Sequence, residues 1–173
     1  MKLRYLVKGL PGHPLHPPLT DATIGTYTVA TALACASVIG VSHVQAAHGW
    51  WLALVAGLCF TVPTALTGLV EWLSIEWGTP LWRTATFHMC AMVTAAVLFL
   101  IACIVGHSGY SRAAVDTGPF ILTLAAFATM TLGGWLGGTI VFVYGMRVLG
   151  LVTEPAKRAL APVARPEKEL AEK

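Results

Sequence analysis

The sequence predicts an all-α fold, an integral membrane four-helix bundle with up-down-up-down topology, and three observations predict it. Four long apolar stretches, at about residues 22–41, 50–72, 84–105 and 120–148, fill most of the 173-residue chain. Each matches the roughly 20 residues that a helix needs to cross a hydrocarbon core of about 30 Å. The composition is 56% hydrophobic and 11% charged, with a mean hydropathy of +0.72, far from a soluble globular domain. Cationic residues are also one-sided: of eleven Lys and Arg, only Arg112 falls on the side opposite the rest.

The elements follow in order. Residues 1–19 form a lead-in rich in His and Pro, where Pro14, Pro17 and Pro18 fix φ and present His13 and His16 from a stiff extended stretch. Residues 20–149 form the transmembrane domain. Asp21, after Thr20, stands where an N-cap of the first span belongs. That span carries Thr23, Tyr27, Thr31 and Ala34 at helical spacing, a small and polar stripe suited to a bundle interior. In the second span Pro63 removes one backbone bond, and Thr64, Thr67 and Glu71 continue one face. The third span has His88 near its start. The fourth carries Gly133, Gly134, Gly137 and Gly138, two overlapping small-xxx-small pairs that let a partner helix approach closely. Residues 150–173, rich in Pro, Ala, Lys and Glu, read as a flexible cytoplasmic tail. No internal duplication of the two helix pairs is evident.

Charge sets the expected orientation. Lys2, Arg4 and Lys8, then Arg83, then Arg147 and the tail cations share one side. The positive-inside rule therefore puts both termini in the cytoplasm of a multi-pass protein of the bacterial inner membrane, with the turn at 43–49 and the loop at 106–119 outside. Trp50 and Trp51 are expected at the outer interface and Trp72, Trp77 and Trp82 at the inner one. The bilayer is the first partner, and no nucleic-acid motif is present. Cys35, Cys59, Cys90 and Cys103 lie singly within spans and read as small buried hydrophobes.

Chemistry converges on the cytoplasmic side. His13, His16, Glu71 and His88 fall there, and ionisable groups at membrane depth tend to face the bundle interior and one another. Each has a structural reading as well: Glu71 and His88 as snorkelling groups or as one ion pair closing the turn between the second and third spans, His13 and His16 as headgroup-facing residues of a proline-rich lead-in. Histidines on facing helices can hold haem, whereas a mixed set of His and carboxylate suits a transition metal. His88 and His107, nineteen residues apart on one helix, would sit about 100° and roughly 28 Å apart and cannot stack two haems on one face. The outer His43, His48 and His107 read as solvated loop residues. No hydrolase elbow, HExxH or phosphate loop is present.

The segments His13-Pro14-Leu15-His16-Pro17, Thr67-Gly68-Leu69-Val70-Glu71-Trp72, His88, and Gly133-Gly134-Trp135-Leu136-Gly137-Gly138 with Gly145 together resemble a family of small bacterial membrane proteins, domain of unknown function 2231. The resemblance covers all four spans and leaves out the tail. It implies a four-helix bundle with a histidine and carboxylate cluster on one side, some relatives resembling companions of redox modules, and no established activity. The family pattern places an acidic residue just after the fourth-span glycines and a histidine shortly beyond. Here Thr139 and Tyr144 stand there, and Glu71 replaces the usual aspartate. Two functions follow as expectations. One is a redox-associated protein holding haem b or a transition metal at His16, His88, Glu71 and His13, within a membrane redox complex or a homo-oligomer. The other is a non-catalytic accessory subunit whose glycine face and tail meet partners. Neither is an independent enzyme, and transport is the weaker third reading because no charged mid-membrane pathway is visible.

Overall fold

The computed structural model describes residues 8–9, 12–150, 152–153, 155–156 and 160. Among these residues the chain is all-α: α1 (His16–Val38), α2 (His43–Trp72), α3 (Pro80–Val105), α4 (His107–Arg112) and α5 (Thr117–Gly138), with α5 running on as a π-helical segment over Thr139–Val143. Three stretches, His43–Trp72, Pro80–Val105 and Thr117–Val143, are long and apolar enough to cross a membrane. The expected flexible tail lies almost wholly outside the described residues.

Local chemistry sets the helix ends, and several differ from expectation. α1 begins at His16, with Pro17 and Pro18 in its first turn, where a missing N–H removes no helical bond and a fixed φ is already helical. The lead-in is therefore not extended as far as Pro18, and Asp21 is an exposed residue inside the helix rather than its N-cap. α1 stops at Gly40, whose φ of 84° needs no Cβ. There Gly40 N–H donates to Ser37 O (3.2 Å) and Val41 N–H to Ala36 O (2.9 Å), satisfying carbonyls the last turn leaves free. α2 takes in residues 43–49, which were expected to form a turn. α3 starts at Pro80 because Thr79 Oγ1 accepts the Trp82 N–H at 3.1 Å. The loop expected at 106–119 contains α4, and the regular part of the fourth span ends at Gly138 rather than 148.

α1 lies antiparallel along α2, and α3 along α5, while α2–α3 and α1–α5 contacts join the two hairpins. Glycines set the closeness: a Cβ at Gly57 would come within 2.5 Å of the Tyr27 ring, and one at Gly133 within 2.5 Å of Met92 Sδ. The expected α1 stripe of Thr23, Tyr27, Thr31 and Ala34 is buried. At the centre Tyr27 stacks on Phe99, ring centroids 3.9 Å apart and planes 6° from parallel. The Tyr27 hydroxyl pairs with Thr61 Oγ1 at 2.8 Å. Trp50, expected as an interfacial anchor, is instead fully buried and donates its Nε1–H to Thr123 Oγ1 at 3.2 Å, since a buried indole needs an acceptor. Of the cysteines only Cys103 is buried; Cys59 and Cys90 are exposed on apolar helices, facing the region where lipid would lie. His43 and His48 lie in the first two turns of α2 rather than in a loop: Nδ1 of the exposed His43 meets Ser37 O at 2.8 Å and Nε2 of the half-buried His48 meets Tyr110 O at 3.0 Å.

The hairpins repeat one another's packing, against the expectation from sequence. Buried positions Thr23, Tyr27, Ala30 and Thr31 of α1 recur 72 residues later as Ala95, Phe99, Ala102 and Cys103 of α3. Leu54, Gly57 and Thr64 of α2 recur 69 residues later as Thr123, Ala126 and Gly133 of α5.

Candidate functional site

His16 and His88 are each seated by the second helix of their own hairpin. From the first turn of α1, His16 places Nδ1 3.0 Å from Thr64 O and 3.3 Å from Thr67 Oγ1 of α2. From the third turn of α3, His88 places Nδ1 2.7 Å from Gly133 O of α5. A carbonyl oxygen can only accept, so the proton sits on Nδ1 in both rings, and Nε2 of a neutral imidazole is left as a bare lone pair. Nε2 of His16 lies 3.5 Å from Thr20 Oγ1, and that hydroxyl already donates to His16 O at 2.9 Å.

Glycine makes both seats possible. A Cβ at Gly68 would lie 2.6 Å from Cε1 of His16, and one at Gly137 would lie 3.1 Å from Cε1 of His88. Sequence reasoning assigned Gly137 to helix packing, and its partner proves to be an imidazole. Gly133 packs on Met92 and Ala91, while Gly134 has open space where a Cβ would be and Gly138 meets only Phe142 of its own helix turn. One of the two glycine pairs is thus used between α3 and α5, and the other meets no second helix among the described residues.

Glu71 lies on α2 one turn beyond Gly68, buried, with Arg147 Nε 3.6 Å from its Oε1. That oxygen has no hydrogen-bond partner among the described residues. The counterpart of Glu71 69 residues later is Ile140, buried in the π-helical turn, so the carboxylate is not duplicated. Arg147 was not anticipated as its partner; φ at Arg147 is 63°, a backbone turn that the sequence does not announce.

Of the four residues expected to form one cluster, His16 and His88 are each held by the second helix of their own hairpin. Glu71 sits one turn to the side with Arg147. His13 is exposed and forms no side-chain hydrogen bond to the other three among the described residues. Also among the described residues, no group of three or more His, Cys, Asp or Glu could hold a metal ion. Three or four protein ligands are what a zinc-type site requires. Two imidazoles, each oriented by an Nδ1–H bond to a backbone carbonyl, present Nε2 as the ring nitrogen that could take a metal.

No curated protein and no solved structure matches the chain. The model of a family described as "Predicted membrane protein (DUF2231)" matches residues 12–150, most of the chain and every residue discussed above except Lys2, Arg4, Lys8 and the tail, so this chain belongs to that family.

Proposed function

We propose that this protein is a four-span, up-down-up-down membrane protein associated with redox chemistry, holding haem or a transition metal near its cytoplasmic face. His16 and His88 supply the ligands, and the Glu71 carboxylate tunes the site by charge. The observation that carries this reading is the paired seating of two imidazoles from two different hairpins, each with Nδ1–H fixed on a carbonyl, so that Nε2 carries the lone pair. α1 serves as the fourth span: its 23 residues extend about 34 Å. The one-sided Lys and Arg distribution supports cytoplasmic termini in a bacterial inner membrane. His13, exposed at the lead-in, belongs to the rim of the site rather than its centre. In such a protein the chain binds and orients the group; bound haem or metal would supply one-electron chemistry.

An optical spectrum and elemental analysis of detergent-purified protein test this. A Soret band or stoichiometric metal, lost in His88→Ala, is the expected result; colourless, metal-free protein with native helicity overturns it. The open positions Gly134 and Gly138 favour a second reading, an accessory subunit whose free glycine face packs on a partner helix. Co-purification of a larger complex, abolished by Gly134→Leu, would support that reading.

A further inference from the structure

We infer that the seat lies on an internal two-fold axis and takes one planar iron macrocycle, a haem b, held by His16 and His88 from opposite faces. The inference rests on the redox reading above and narrows it to one class of ligand.

Four pairs of positions carry the symmetry. His88 follows His16 by 72 residues, as Phe99 follows Tyr27; Gly133 follows Thr64 by 69, as Gly137 follows Gly68. Each hairpin therefore hangs one imidazole on a carbonyl of its second helix and nests the ring against a glycine four residues further on. Tyr27 and Phe99, equivalent residues of α1 and α3, meet face to face, nearly parallel. An axis passing between two equivalent rings produces this arrangement.

His16 precedes Tyr27, and His88 precedes Phe99, by eleven residues. Eleven residues are three turns plus about 20°, and about 16 Å along the helix. Both imidazoles thus occupy the same seam as the stacked rings, approaching it from opposite helices. Among the described residues a symmetric seat of this kind offers two nitrogen ligands and no third: the asymmetric Glu71 pairs with Arg147, and its counterpart is Ile140. A bare tetrahedral ion would lack ligands, whereas haem brings four equatorial nitrogens and asks the protein only for axial ones.

The test titrates the purified full chain in detergent with haemin and, separately, with Zn2+. One haemin per chain is expected, giving a six-coordinate low-spin spectrum with a sharp α band on reduction. Asparagine places an amide N–H near the position of Nδ1 and has nothing at Nε2, so His16→Asn and His88→Asn keep the carbonyl bond while removing the ligand. Each variant should retain helicity, turn five-coordinate and high-spin, and lose at least the roughly tenfold in haemin affinity that removing even an outer-shell partner costs, with low-spin character restored by added imidazole. A five-coordinate wild type, or a low-spin spectrum that survives either variant, overturns the inference. Stoichiometric Zn2+ without haemin binding overturns it too but leaves the broader metal reading standing; binding of neither overturns both.

Discussion

His16 and His88 could be named from sequence because an imidazole at membrane depth is costly unless something receives it. What receives each ring could not be named, since Thr64 and Gly133 contribute backbone oxygens, and a backbone oxygen leaves no trace in residue type. Gly68 is a similar case: its role is the absence of a side chain. Gly68→Ala should push the His16 ring off the Thr64 carbonyl and destabilise the protein by about 1–3 kcal/mol, read as a lower thermal midpoint in detergent. Gly134→Ala, facing open space, should be neutral or stabilising by up to about 1 kcal/mol, because alanine is the better helix former. Equal losses at both positions would remove the distinction between a seat and a free face. Trp50 was misplaced for a related reason. An indole at a span's end reads as an interfacial anchor, and only the fold reveals Thr123 waiting as its acceptor.

The long helices were legible as elements because apolar length alone announces them, and their ends were not, because ends depend on single caps. The third span illustrates this: Thr79, Pro80 and the Trp82 N–H start α3 four residues before the apolar run begins. Thr79→Ala should weaken that start by about 1 kcal/mol, seen as faster amide exchange at residues 81–83 with the rest of α3 unchanged. At the centre of the helix pairs, Phe99→Ala removes the partner of Tyr27. In lipid the transfer contribution to helix association is absent, but the cavity and the lost dispersion contacts remain, so a loss of roughly 2 kcal/mol or more is expected in a detergent unfolding titration. An unchanged midpoint would mean that the stack is not part of what holds the hairpins together.

The whole molecule was read from sequence as four spans, and the duplication within it was missed. Few identical residues fall in register; His16 with His88 and Gly68 with Gly137 are among them, while Tyr27 faces Phe99 and Leu54 corresponds to Thr123. What repeats is burial and contact, which tolerate any residue of suitable size, so the symmetry becomes visible only once the chain is folded. The orientation is a prediction at this scale. A reporter fused after residue 150 should be active in the cytoplasm, and one inserted in α4 should be active outside; the opposite pattern would invert the molecule and move the histidine seat to the other face. The Tyr27–Phe99 stack adds a directional consequence. Two buried rings in contact, with Trp50 in the same core cluster, close the middle of the molecule to water, so a proton or dissolved solute that reaches the imidazoles does so without passing between Tyr27 and Phe99.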